Sequence, residues 1–363
     1  MHTIYQNYTL LQGETPAFFA GANTGRGFLG EYDRIAAEEE NRRVWIIKGG
    51  SGTGKSTMMG KIAAEAEETG HRCVRYLCSS DPASLDAVVF DGQYVVLDGT
   101  APHVREMEYP GAVSEILYVG KYWKREKLEE KREEVIRLTQ GKREAYQAGY
   151  AALAALEKLE GETYRTAMGI LDREKLCRCI GRILKGVPKG ERTGGTDTCR
   201  TWAVSMKGPA RTTGLEQMAR VHWRIEDTCQ TMPCFFGLLA EMCSRQRIPV
   251  LLSLHPVNDR IVEACIPSLS LHLSGETGGC VPDKTICMSR FLQKEPAAGK
   301  KGEIRLAAKC MTALLEQALE KFREAGEYHG ALEEIYRDAM DFSRMNRESA
   351  GIRKQILQAL TEG

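Results

Sequence analysis

No run in this 363-residue chain approaches the roughly 18 to 20 consecutive apolar residues that a membrane-spanning helix requires. The segment Met1 to Leu11 is polar and aromatic rather than basic and then apolar, so it lacks the form of a secretory leader. Net charge is also missing. The 50 lysines and arginines are balanced by 49 acids, a formal charge of +1, which gives no bulk attraction to nucleic acid or an anionic membrane. Aromatics are 7% of the chain and are not interleaved with basic residues as in a nucleic-acid groove. These absences argue against a membrane or nucleic-acid partner and predict a cytoplasmic protein. Twelve cysteines are present, but several sit inside apolar segments, among them Cys73, Cys78, Cys243, Cys265 and Cys310, as reduced buried thiols do. Neither Cys177 with Cys179 nor Cys229 with Cys234 has zinc-ligand spacing or a second pair nearby.

What the chain does contain is a glycine-rich stretch with legible chemistry. Val44 to Ile47 is a short apolar run, and Thr57 to Thr69 has helical spacing of apolar residues. Between them, Gly49, Gly50, Ser51, Gly52, Thr53, Gly54, Lys55, Ser56 and Thr57 contain G-x-x-x-x-G-K-S, the phosphate-binding loop. Glycines permit backbone conformations closed to other residues and let the main chain approach phosphates. Lys55 is placed to neutralise the β and γ phosphates of ATP. Ser56 is placed to offer its hydroxyl to Mg²⁺, and the helix start adds its positive dipole.

Three further stretches bear on this loop. Cys73 to Cys78 reads as a strand ending in Ser79-Ser-Asp81-Pro82, at the carboxyl end where an α/β sheet places ligand contacts. Ser79 and Asp81 are site candidates on that ground, while Ser-Asp-Pro is equally an ordinary turn and cap. Tyr94 to Asp98 is a more apolar strand ending in an acid, the form of a Walker B element, and Asp98 is therefore the favoured metal-orienting carboxylate. His103, a few residues on, and Asp81 are the candidates for positioning the attacking water. A strand is expected near Glu115 to Val119. Lys121 to Leu159 then reads as long amphipathic helices, a solvated face or a lid whose Arg125 or Arg132 reaches the nucleotide. Gly186 to Thr198 has the composition of a linker.

The second half repeats the first. Leu271 to Gly275 matches Val95 to Gly99, and Glu241 matches Glu65, both at an offset of 176 (271 − 95 and 241 − 65). With small gaps, Tyr336 to Met340 also matches Tyr164 to Met168. Where the first copy has its glycine loop, the second reads Ile225-Glu-Asp-Thr-Cys-Gln-Thr-Met-Pro233, with two acids and neither glycine nor lysine. Ser274 stands where the first copy has Asp98, so the second copy is expected to be a pseudo-site.

The run Lys48 to Thr57, with Cys78-Ser-Ser-Asp-Pro-Ala-Ser-Leu-Asp86 and Asp98-Gly-Thr-Ala-Pro-His103, resembles a bacterial family of duplicated P-loop ATPases. The resemblance extends over the chain to His329 and Met340-Asp-Phe342. It implies a tandem α/β protein with P-loop-type parallel sheets and helical extensions, and ATP as ligand. Family members keep a phosphate loop in both halves, and this sequence departs from that pattern. The expected boundaries are 1–190, with a helical insertion over about 104–190, and 196–363. Hydrolysis of a nucleoside triphosphate with Mg²⁺ at the first site, driving a change in the pseudo-domain or in an unidentified protein partner, is the leading expectation. A kinase with a helical lid and a non-hydrolysing nucleotide sensor are the alternatives. No arginine finger is evident, and Arg211 or Arg224 of the second half are candidates to arrive across the interface.

Overall fold

The computed structural model of this chain describes residues 15–101, 104–227, 229–275 and 280–362. The first sheet forms around β4 (Arg43–Lys48), whose Val44 to Ile47 are all buried. Val44 and Ile46 pack into one apolar cluster and Trp45 and Ile47 into another, so both faces are covered and the strand reads as a continuous apolar run. Around it stand β1 (Ala17–Phe19), β5 (Cys73–Leu77), β6 (Leu85–Phe90), β7 (Tyr94–Asp98) and β8 (Ser114–Tyr118), in the order β1-β5-β6-β7-β4-β8. A hairpin of β2 (Gly21–Thr24) and β3 (Gly27–Gly30) stands beside the sheet.

The expected all-parallel sheet is corrected here to a mixed one. Strand β6 runs antiparallel to both β5 and β7, while the remaining pairs are parallel. The cause is local. Asp91 and Gly92 both have positive φ, 49° and 72°, and Gln93 N donates to Phe90 O, so a tight turn reverses the chain between β6 and β7.

The second half builds the same object. Strands β9 (Thr196–Cys199), β12 (Val221–Glu226), β13 (Val250–Leu254), β14 (Ile261–Ile266), β15 (Leu271–Ser274) and β16 (Lys284–Cys287) lie in the order β9-β13-β14-β15-β12-β16. Here β14 is the antiparallel member, and β10 (Trp202–Ser205) with β11 (Gly208–Arg211) forms the matching hairpin. Strand order and direction agree throughout, so the molecule is a duplicated α/β fold.

The helices join the two copies by exchange. They are α1 (Tyr32–Ile35), α2 (Lys55–Glu68), α3 (Arg125–Glu130), α4 (Arg132–Gly169), α5 (Arg173–Leu184), α6 (Gly214–Gln217), α7 (Met232–Arg245), α8 (Lys294–Ala339) and α9 (Phe342–Thr361). Helix α4 carries the chain from the first sheet to the second, and α5 then packs on α7 of the second repeat through Leu176, Ile180 and Leu184. Helix α8 carries it back, and α9 packs on α2 of the first repeat through Met345, Ile356 and Leu360. The crossing helices lie antiparallel, with Thr166 beside Glu303 at one end and Gly141 beside Tyr328 towards the other. Gly149 accommodates Phe322, because a Cβ there would lie 2.5 Å from the ring. Tyr146 and Tyr150 complete that aromatic contact.

The start of each arm is stitched to the end of the other. Trp123 bridges Met340 and Leu171 bridges Leu292, with Lys124 N donating to Ala339 O and Asp172 N to Phe291 O. The arms therefore correspond without a gap at an offset of 169 (292 − 123 and 340 − 171). This corrects the sequence match of Tyr336 with Tyr164: by position in the arm, Tyr336 corresponds to Ala167.

Candidate functional site

The parallel pairing of β4 with β7 sets Ile47 opposite Asp98. That register brings the carboxylate to the mouth of the glycine-rich loop that follows β4, and separates Asp98 from the rival acid Asp81. Gly52 and Gly54 have φ of +69° and +84°, left-handed values that a residue with Cβ adopts only at a cost. Gly54 is the residue before α2, so the loop turns the first amides of a 14-residue helix towards the mouth. Lys55 is only 8% exposed. Its Nζ donates to Gly50 O at 2.6 Å and to Gly49 O at 3.3 Å, and stands 3.4 Å from Asp98 Oδ2. A buried ammonium requires such partners. Thr53 Oγ1 donates to Gly50 O, and Gly49 N donates to Thr100 Oγ1, whose own backbone N–H is taken by Asp98 Oδ1. Ser51 and Thr57 complete the loop at the cleft wall.

Ser56 Oγ accepts a hydrogen bond from Leu85 N at 2.9 Å, tying α2 to the start of β6 and leaving its second lone pair for a cation. The next residue, Asp86, is a second carboxylate on the cleft wall, 4% exposed, and it accepts a hydrogen bond from Tyr32 Oη at 2.7 Å. Burial, and then the charge of Asp86, push the Tyr32 phenol well above its ordinary value. Asp86 was within a quoted motif but not singled out from sequence. The signal that finds it is the Asp91-Gly92 turn, which implies the antiparallel strand in which Asp86 is the second residue.

Asp81 lies on the rim rather than at the loop. It caps its own turn through Ala83 N and Ser84 Oγ and pairs with Lys207 of the second repeat at 2.7 Å. Partial burial opposes its ionisation, but the Lys207 ammonium outweighs this and holds the carboxyl below its usual range. Ser79 is fully buried and does not line the cleft. His103 lies outside the described residues.

The cleft over the loop holds about 730 Å³. Its roof is the crossing pair of helices: Lys142, Arg143, Tyr146 and Tyr150 come from α4, and His329, Glu333 and Arg337 from α8. The α8 backbone presses on the loop, so that a Cβ at Gly52 would stand 2.7 Å from Glu333 O. Phe342 from the start of α9 also lines the cleft. The roof corrects the expected lid residues: Arg125 is solvent-exposed and paired with Glu129, and Arg132 is exposed outside the cleft. Arg211 and Arg224 do not reach the cleft either. Arg211 pairs with Glu263 and Glu216 inside the second repeat, and Arg224 is exposed on β12.

The equivalent place in the second repeat is filled from within. Asp227 follows β12, and its carboxylate accepts hydrogen bonds from Cys229 N, Thr231 Oγ1 and Met232 N at 2.7 to 2.9 Å. The donors at the start of α7 thus already hold an anion supplied by the chain. Glu263, paired across strands with Ser274, accepts from Trp202 Nε1 and Arg211 Nε and lies 3.5 Å from His272 Nε2.

Among the described residues, no group of three or more His, Cys, Asp or Glu side chains could hold a metal ion. Ser56, Asp98 and Asp86 line the cleft as hard oxygen donors, too few for a closed protein cage. No helix among the described residues is long and apolar enough to cross a membrane. No protein-family model, curated protein or solved structure matches the chain.

Proposed function

We propose that this protein binds ATP with Mg²⁺ at a single P-loop-type site in the first repeat and hydrolyses it, and that the second repeat is a catalytically inactive partner. One observation carries this: the left-handed Gly52 and Gly54 turn, with buried Lys55, opens a long helix beside Asp98 on the adjacent strand. Amides at the helix start and one ammonium make an anion cradle, and an acid within reach serves a cation bridging to that anion. Mg²⁺ holds few protein ligands and keeps waters and phosphate oxygens for the rest, which suits a donor set of Ser56 and Asp98 with Asp86 nearby.

In this reading, Lys55 leaves the carbonyls of Gly49 and Gly50 to meet the β and γ phosphates. Ser56 and Asp98 would orient the metal, whose charge lowers the barrier to phosphoryl transfer. Asp86, a buried carboxylate of the cleft wall held by Tyr32, would orient the water. Asp227 and the missing loop lysine make the second repeat unsuited to phosphate, since a carboxylate there repels it. Because α8 and α9 of the second repeat close the first site, a change at the terminal phosphate has a direct route to the other repeat.

The test is ADP and phosphate formation by purified protein with Mg²⁺ATP, with and without a panel of nucleosides and metabolites, beside Lys55→Ala. Phosphate release without an acceptor, lost together with binding in the variant, is the expected result. ADP formation only with an acceptor would make the protein a kinase. Unchanged ATP affinity in Lys55→Ala would refute the site.

A further inference from the structure

The cleft has a second basic surface that hydrolysis as described leaves unused. Lys142 lies on α4 in the roof, is partly buried, and lines the same cleft as the glycine-rich loop. Among the described residues it has no hydrogen-bond or ion-pair partner. Its neighbours in the roof are differently placed: His329 Nε2 stands 3.6 Å and Arg337 Nη2 3.9 Å from the Glu333 carboxylate, and Arg143 is exposed. Burial lowers the Lys142 ammonium's affinity for its proton, opposed by the charge of Glu333. A cation held out of water with only a distant carboxylate to offset it is a standing cost, reduced when an anion arrives.

The duplication provides an internal comparison. At the arm offset of 169, Lys142 and Arg143 correspond to Met311 and Thr312, and His329 and Arg337 to Glu160 and Met168. Each of the four basic positions above the intact loop is therefore non-basic at its equivalent in the other copy, where the loop has lost its own lysine. Helix amphipathicity does not require this, since both arms are the same length and pack on each other. An anionic ligand held above the first loop alone would account for it.

Resting on the nucleotide reading above, we propose that Lys142 is a second phosphate-binding cation, reaching from the roof to the terminal phosphate opposite Lys55 and neutralising the charge that builds there during transfer. The chemistry is that of a positioned cation on a transferring phosphoryl group, with no bond made or broken at the lysine. Arg143 and the Glu333 cluster shape the surrounding field.

The experiment compares wild type with Lys142→Gln, Lys142→Arg and the exposed control Arg125→Gln. It reads affinity for Mg²⁺ADP, affinity for a non-hydrolysable Mg²⁺ATP analogue, and kcat. Lys142→Gln is expected to leave ADP affinity unchanged, to weaken the triphosphate analogue on the order of tenfold, and to lower kcat by about 10²-fold. Lys142→Arg should recover part of both losses, and Arg125→Gln should match wild type. Equal loss for ADP and the triphosphate analogue would overturn the assignment to the terminal phosphate. Triphosphate affinity and kcat unchanged in Lys142→Gln, in a wild type that binds nucleotide, would overturn this inference alone. A wild type that binds no nucleotide would overturn the nucleotide reading and this one together.

Discussion

Two glycines with left-handed φ allow the closure of the roof on the loop to be measured. Gly52 has φ of +69°, and a Cβ there would lie 2.7 Å from the carbonyl oxygen of Glu333. Gly70, just past the end of α2, has φ of +89°, and a Cβ there would meet nothing within 4 Å. Alanine at either site carries left-handed strain of about 1 to 2 kcal/mol. Each substitution also narrows the unfolded ensemble, a stabilising contribution of about 0.4 to 1 kcal/mol that cancels between the two. Only Gly52→Ala must also displace helix backbone, which cannot rotate aside as a side chain would, and overpacking of this kind costs about 1 to 3 kcal/mol. Gly52→Ala is therefore expected to be less stable than Gly70→Ala by about 1 to 3 kcal/mol, read as a shift in urea midpoint at constant slope. The same substitution should weaken nucleotide binding, which Gly70→Ala should leave intact. If the two variants are equally stable, α8 does not rest on the loop in solution. The exchanged second repeat would then not be closing the site.

The crossing helices and one acid on α4 give two more expected outcomes. Phe322 is fully buried between Gly149, Tyr146 and Tyr150, so Phe322→Ala should cost about 3 to 5 kcal/mol; a loss under 1 kcal/mol by denaturant titration would place the arm contact outside the cooperative core. Glu160 carries a carboxyl pushed up from 4.5 to about 7, chiefly by burial and against the pull of Asn258 and Arg260. A raised acid is most favourable while protonated, so its contribution is intact below about pH 4.5 and is lost as pH rises through 7. The loss approaches about 3 kcal/mol by pH 8 at 1.36 kcal/mol per unit. Glu160→Gln, which keeps an oxygen for Asn258, should flatten this part of the pH-stability curve. The same slope in wild type and variant would refute it.

The loop from Gly49 to Thr57 was legible because its conformation depends on residue type at each position: two glycines with left-handed φ and a lysine opening the helix. Asp98 was legible as the acid ending the more apolar of the two strands that carry one. Strand β6 (Leu85–Phe90) was not read from the sequence, which was followed from the Ser-Asp-Pro turn directly to Tyr94. The Asp-Gly turn after Phe90, the stronger signal, sets both its direction and the place of Asp86.

By itself, the sequence determined what is local and periodic: the strand, glycine turn and helix, the repeated α/β unit, and a second loop whose acids and missing lysine set it apart. Tertiary structure alone decided which helices cover which site. Lys142 and Gly52 are 90 positions apart and Glu333 is 281 beyond Gly52, and nothing in their local sequence encodes the meeting. They meet because each repeat leaves one face of its α2 or α7 apolar, and the helix that buries it comes from the other repeat's arm. The free energy of covering those faces is satisfied by the exchanged arrangement, and that exchange brings the second repeat to the first repeat's site.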